Sequence, residues 1–244
     1  MKFTTSILFP LFTLTSLSQL TTKQLACSND IRSCSASATD TCCSPKLGLL
    51  VLALQWYPGL GPKDAFTVHG LWPNNCDGSF GPNNGCDSTR QYTDLKNIVA
   101  VDTSLETQMN TYWASYKGDN PSFWEHEWGK HGTCYSIYEP KCYTAFQRGQ
   151  DARDYFKTAL TLRTKFDLYN TLKSSGITPG RSYSKSDIIA AFNKLGAQVQ
   201  LTCTNGAISE VKVYMYVNGK SDFKITNAPS AGSCPSTISY PIKN

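Results

Sequence analysis

The chain has 244 residues, 40% of them hydrophobic and 17% charged, enough apolar material to bury a real core in one domain. Its ten cysteines argue against a reducing cytosol and for an oxidising compartment. The formal net charge of +5 includes Lys2 and Lys23, and no run of Lys or Arg resembles a nucleic-acid tail, so charge alone nominates no polyanion partner.

In chain order, Lys2 precedes an apolar stretch from Ile7 to Leu17 that is too short to span a bilayer and leads into small and polar residues. Residues 1–26 are read as a secretory signal cleaved between Ser18 and Ala26, because Pro10 would interrupt the competing buried helix. Residues 27–244 are read as a single domain with no segment apolar enough to cross a membrane. The expected mature protein is therefore soluble, monomeric and secreted to the outside or into a vacuole-like or lysosome-like compartment.

Residues 27–46, rich in Cys, Ser and Thr, read as an irregular strap pinned by disulfides. Leu47 to Trp56 is a nearly continuous apolar run and predicts a fully buried central strand, ended by the loop residues Pro58, Gly59, Gly61 and Pro62. Asn74 to Cys86 is a second Gly/Asn/Pro loop. Asp151 to Ser175 carries apolar residues at helical spacing, with Gly176 as C-cap. Ser184 with Asp187 resembles a capping box that opens a helix through Leu195, closed by Gly196. Ile208 to Val217 alternates like a half-buried strand. Strands and helices alternate unevenly, which favours an α+β fold over a regular doubly wound sheet.

The chain contains only three histidines, and all fall in two short motifs. His69 lies within Phe66-Thr67-Val68-His69-Gly70-Leu71-Trp72-Pro73, and His126 and His131 lie between Phe123 and Cys134 beside Trp124, Glu125, Glu127, Trp128 and Lys130. Imidazole, with an ordinary pKa of roughly 6.5, can both take and give a proton near neutrality. If Phe123 to Tyr135 is helical, Glu127, Lys130 and His131 span an arc of about 100°, with Glu127 and His131 at i, i+4. His126 then lies roughly 140° from His131, at the Lys130 edge of that arc. One cleft would receive a carboxylate, an ammonium and an imidazole, with a second imidazole at its rim.

A zinc helix of the His-Glu-x-x-His type needs its histidines at i, i+4. Here they stand at i, i+5 with Lys130 between them, and a lysine cation opposes a divalent metal, so neither metal nor cofactor is expected. Burial as satisfied core residues would suit any one histidine, with Trp72, Trp124 and Trp128 as packing, but suits the clustered three less well. Two imidazoles on opposite sides of a phosphodiester can catalyse in-line displacement without metal: one deprotonates the attacking oxygen and the other protonates the leaving oxygen. A lysine and a protonated histidine stabilise the phosphorane charge. RNA fits because its own 2′-OH is the nucleophile and aromatic side chains can stack its bases. No Gly-x-Ser-x-Gly elbow, P-loop or dinucleotide fingerprint is found.

The segments Phe66–Pro73 and Phe123–Cys134 resemble the two active-site segments of the ribonuclease T2 family. The resemblance continues through the Cys27–Cys43 strap, the Leu47–Trp56 strand and the Cys203/Cys234 tail, and ten cysteines at this spacing resemble the fungal branch. It implies an α+β fold with a central, mostly antiparallel sheet flanked by helices and rich in disulfides. It also implies a metal-independent endoribonuclease that cleaves single-stranded RNA through 2′,3′-cyclic phosphates to 3′-phosphates with low base specificity. Carried over by motif position, His131 is the general base toward the 2′-OH, His69 the general acid toward the 5′-oxygen, and His126 a phosphate ligand. Glu127 and Lys130 stabilise the transition state, and the acid and base exchange roles when the cyclic phosphate is hydrolysed.

For the bases, the resemblance implies that Trp72 stacks the base 5′ of the cleaved bond, with Phe80 as a second wall. Fungal relatives often carry an Asp after the Trp-Pro pair, associated with adenine preference; this chain has Asn74, which donates as well as accepts. Gln55 and Phe123 are candidates for the 3′ base pocket, with a core role as the alternative for Phe80 and Phe123. The cysteine spacing alone leaves the pairing open. The resemblance implies Cys27–Cys43, Cys34–Cys76, Cys42–Cys142, Cys86–Cys134 and Cys203–Cys234. No Asn-x-Ser/Thr sequon occurs, so N-glycosylation is not expected. Two other classes stay open: a secreted RNA-binding or cytotoxic protein without catalysis, which the intact trio argues against, and a metal-dependent phosphoesterase.

Overall fold

The apolar run at Leu47–Trp56 lies at the centre of the computed structural model, which describes residues 27–244; the secretory signal read at residues 1–26 lies outside the described residues. The strands are β1 (Leu49–Gln55), β2 (Thr67–Asn74), β3 (Arg181–Ser184), β4 (Gln200–Thr204), β5 (Ala207–Asn218), β6 (Asp222–Thr226) and β7 (Thr237–Tyr240). The helices are α1 (Leu95–Ala100), α2 (Thr103–Tyr112), α3 (Asn120–Lys130), α4 (Gln150–Lys165), α5 (Leu168–Lys173) and α6 (Lys185–Phe192).

All seven residues of β1 are buried, because β2 and β5 flank it antiparallel and both of its faces are covered. Its side chains alternate between two clusters, as the two-residue period of a strand requires. Leu50, Leu52 and Leu54 enter the main core with Trp113, Trp128, Tyr155 and Phe156, whereas Leu49 and Val51 join Tyr214 and Ala228 on the other face, beside half-buried Trp72. Each buried leucine contributes about 1.5–3 kcal/mol, which makes β1 the anchor of the sheet.

The sheet order is β2-β1-β5-β7-β3, with β4 and β6 pairing along β5. Every pairing between these strands is antiparallel except the parallel contact of β5 with β7, so the expected mostly antiparallel α+β architecture is what forms. Five disulfides join Cys27–Cys43, Cys34–Cys76, Cys42–Cys142, Cys86–Cys134 and Cys203–Cys234, the pairs the resemblance implies. Among the described residues no helix is long and apolar enough to cross a membrane.

Three local expectations change. The helix expected over Asp151–Ser175 is two helices, because the Asp167 side chain accepts the Asn170 amide and starts α5 as an N-cap, where buried Phe166 has left helical geometry. The Ser184 side chain does accept the Asp187 amide, but α6 stops at Phe192 and a 3-10 turn carries the chain to left-handed Gly196. The motif around His69, left without an element by its sequence, is strand β2, and Asn74 is its last residue rather than the start of the loop.

Candidate active site

Strand β2 is interrupted where its histidine stands. Ala53 pairs with Gly70 and Leu54 with Val68, so His69 is the extra residue of a β-bulge. A bulge bends its strand and re-aims a side chain, and it also frees backbone groups that must find other partners. The His69 carbonyl accepts the Trp113 indole N–H at 2.9 Å, and the Trp113 carbonyl accepts the Trp124 indole N–H of α3 at 2.7 Å. Two indole bonds thus tie the backbone at His69 to the helix carrying the second motif. The Leu71 carbonyl accepts the Tyr155 hydroxyl of α4 at 2.7 Å, fixing the next turn of β2.

Helix α3 starts earlier and ends earlier than its motif suggests. The Asp119 side chain caps it through the Ser122 amide, Pro121 occupies the first turn where no donor is needed, and the last helical residue is Lys130. His131 is the C-cap, its amide still bonded to the Glu127 carbonyl at 3.0 Å, and a 3-10 turn over Gly132–Cys134 follows. The helical expectation for Phe123–Tyr135 is corrected accordingly: the Trp128 ring lies where a side chain at residue 132 would go, so the chain turns sharply at Gly132. That turn is held firmly. Cys134 is bonded to Cys86, the Thr133 hydroxyl accepts the Cys86 amide, and the Thr133 carbonyl accepts from buried Arg90, which also pairs with Asp87 and Asp151.

Between the two motifs lies a cleft of about 430 Å³. All five residues assigned to catalysis, His69, His126, Glu127, Lys130 and His131, line it together. His69 Nδ1 lies 2.5 Å from Glu210 Oε2, and its Nε2 lies 3.7 Å from Glu127 Oε1. Glu127 is buried, and its Oε2 accepts the Trp72 indole N–H at 3.0 Å. Gly70 makes that contact possible, since any Cβ there would collide with both the Glu127 carboxylate and the Trp72 indole. The Trp72 ring stacks on His131 at 5.3 Å and meets His69 edge-on at 5.1 Å.

Electrostatics separates the two half-buried histidines. Burial would lower the pKa of His69, but the hydrogen bond that it donates to Glu210 and the charges of Glu127 and Glu210 outweigh it and hold the imidazole above its ordinary 6.5. His131 is pushed down to about 3 by burial, then by the neighbouring cations Lys130, His126 and His69. Exposed His126 is lowered by partial burial and by Lys130 and His69. Burial lifts Glu127 to about 7, so at acidic pH it holds a proton and can donate to an anionic oxygen rather than repel it. Near pH 5 the cleft is lined by both a charged imidazole and a neutral one, the combination acid–base displacement needs.

Of the base-binding candidates, Trp72, Asn74 and Phe80 line the cleft, and Phe80 is 75% exposed, which removes its core alternative. Gln55 and Phe123 do not line it. Gln55 is buried and donates its amide to the carbonyls of Val68 and Ala114, and Phe123 is half-buried against the core with its ring 5.8 Å from His69. Among the described residues no group of three or more His, Cys, Asp or Glu side chains is placed to hold a metal ion. Sequence reasoning missed two residues at the site, Glu210 and Lys212, whose side chains pair at 3.3 Å on β5. Their only signal is i, i+2 spacing on one face of a strand, which points to no histidine 141 residues away.

The family model described as the ribonuclease T2 family matches residues 22–228. Ribonuclease Rh of Rhizopus niveus is 46% identical over 221 residues, covering 89% of this chain and 93% of that protein. Ribonuclease T2 of Aspergillus oryzae is 36% identical over 208 residues, covering 80% and 75%. Among solved structures, Actibind, described as a T2 ribonuclease, superposes with a TM-score of 0.82 at 35% identity, covering 89% of this chain and 98% of that one.

Proposed function

The chain belongs to the ribonuclease T2 family and is an endoribonuclease, and from that premise we propose that it cleaves single-stranded RNA without a metal, by attack of the 2′-OH on the adjacent phosphorus. In this reading His131, neutral because of its burial and then of its cationic neighbours, takes the 2′-OH proton as O2′ bonds to phosphorus. His69, held protonated chiefly by the ionised Glu210 at its Nδ1, gives its proton to the departing 5′-oxygen. Lys130, His126 and the proton on Glu127 stabilise the charge on the phosphorane oxygens. The product is a 2′,3′-cyclic phosphate. Water then opens it to a 3′-phosphate, with His69 now accepting the water's proton and His131 returning one to O2′.

The observation that carries the reading is the pairing of two imidazoles across one cleft in surroundings of opposite charge. A bound phosphate would favour the charged form of His126, offsetting the lowering it experiences in the free protein. Trp72 stacks the base 5′ of the cleaved bond with Phe80 as a second wall, base specificity is low, and no adenine preference is assigned with Asn74 in place of an Asp. The chain acts as a secreted monomer after residues 1–26 are removed.

Digestion of single-stranded RNA in excess EDTA tests the reading. Cyclic phosphates should accumulate first and 3′-phosphates later, and H69F and H131F should each abolish cleavage with the circular dichroism spectrum unchanged. Activity that needs an added divalent ion, or that survives either replacement, refutes it. Ranking the rates on the sixteen dinucleoside phosphates tests the base specificity.

A further inference from the structure

The family motifs supply the residues facing the phosphate but leave the far nitrogen of His69 unaccounted for. That nitrogen, Nδ1, lies 2.5 Å from Glu210 Oε2, while the other oxygen of Glu210 pairs with Lys212 Nζ at 3.3 Å. Resting on the function proposed above, we propose that Glu210 is a positioning residue for His69: its carboxylate accepts the Nδ1–H, which leaves Nε2 turned toward the cleft, and Lys212 holds the other oxygen of that carboxylate.

The contact crosses an intervening strand. Glu210 and Lys212 are on β5 and His69 on β2, with β1 between them, so the two backbones are about 10 Å apart. Ala53 of β1 pairs with Gly70 on one side and Lys212 on the other, so only a methyl group stands on the intervening strand between them. The bulge at His69 re-aims the imidazole.

The charged groups facing His69 are Glu210 and Lys212 from β5 and Glu127 from α3, with His126 on α3 and His131 at its end exerting weaker repulsion. Of the two carboxylates only Glu210 is within hydrogen-bond reach. Glu127 stands 3.7 Å from Nε2 and gives one oxygen to the Trp72 indole. Glu210 does not line the cleft and Lys212 does, so Glu210 acts through the imidazole rather than on the substrate. Burial would raise the Glu210 pKa, but the His69 bond and Lys212 outweigh it, and the group stays ionised below the ordinary carboxylate range.

Two substrates separate positioning of the acid from general support of the fold. A dinucleoside phosphate leaves as an alkoxide and needs the proton of His69, whereas uridine 3′-(4-nitrophenyl phosphate) leaves as a phenolate that does not. E210Q is expected to slow dinucleoside cleavage about 10- to 100-fold in kcat with KM little changed, the range found when a metal-bound histidine loses its orienting partner. The alkaline limb of its pH profile should move to lower pH, and the aryl ester should slow by less than about threefold. E210D should recover part of the dinucleoside rate. Equal slowing on both substrates with an unmoved limb would make Glu210 merely structural, and an E210Q protein indistinguishable from wild type would remove it altogether. Should E210Q not fold, nitrogen NMR of the wild-type imidazoles still decides: above its pKa, His69 should carry its proton on Nδ1, and a proton on Nε2 overturns the proposal. Wild-type protein that leaves RNA uncut would instead defeat the underlying function, while a dead H69F beside an unaffected E210Q would defeat this inference alone.

Discussion

The two walls of the cleft carry the same side chain in opposite company. On the sheet wall, His69 sits on a strand bulge against Glu210 and Glu127, and it is favoured as imidazolium. On the helix wall, His131 sits at the C-cap of α3 beside Lys130, and it is favoured as neutral imidazole. A helix C-terminus by itself favours a cation, by about 0.3–1 kcal/mol, which is less than one pKa unit. That is too little to offset a fall from 6.5 to about 3, so burial and the neighbouring cations decide the state of His131. In the proposed mechanism the acid and the base differ by what surrounds each imidazole, since the residue type is common to both.

The sharpest way to break the comparison is to remove each wall's histidine and change the leaving group. Replacing His131 with Phe should cost about 10²–10⁴-fold on both a dinucleoside phosphate and an activated aryl ester, whereas replacing His69 should cost that much on the dinucleoside only. Equal losses on both substrates would mean the two walls do not divide the proton transfers. Next in size is Gly70→Ala, whose new methyl must displace the Glu127 carboxylate or the Trp72 indole. Because a shift of about 1 Å in a positioned group can cost 10²-fold, kcat should fall by about that factor with folding intact. Unchanged kinetics would show that the wall yields freely.

The pH profile sharpens the contrast further. The base works only when neutral, so activity should rise as pH climbs through the low pKa of His131, near 3 in the free protein. The acid works only when protonated, so activity should fall above the raised pKa of His69, beyond 6.5. A kcat/KM profile still rising above that point would reverse the assignment. The smallest expected effect on rate comes from Cys86→Ala with Cys134→Ala, which releases the turn after His131. Stability should drop by about 2–5 kcal/mol in a denaturant titration, with cleavage at room temperature largely kept because Arg90 still holds the Thr133 carbonyl. A large loss of rate would show that the disulfide, rather than the buried Arg90 network, positions the helix end.

Local signals in the sequence were read well where the physics is local. The continuous apolar run forecast a strand covered on both faces, and Ser184 forecast a helix start, because strand burial and capping involve residues close in the chain. The same reasoning failed at Asp167, where a side chain that could sit on a helix surface captured the Asn170 amide and began a new helix. At Gln55 it announced nothing of the amide's bonds to two backbone carbonyls, those of Val68 and Ala114. Phe80, whose core role the sequence left open, lines the cleft from the Gly/Asn/Pro loop and is 75% exposed.

What the sequence by itself determined is the inventory of the chemistry: three histidines in two motifs, with a lysine and a carboxylate at helical spacing and cysteines enough to pin them. What only the tertiary structure decided is which imidazole holds a proton. The reason is physical. Motif spacing is a property of neighbouring residues, whereas protonation depends on burial and on charges brought across space, and the carboxylate that governs His69 arrives from a strand 141 residues further along the chain.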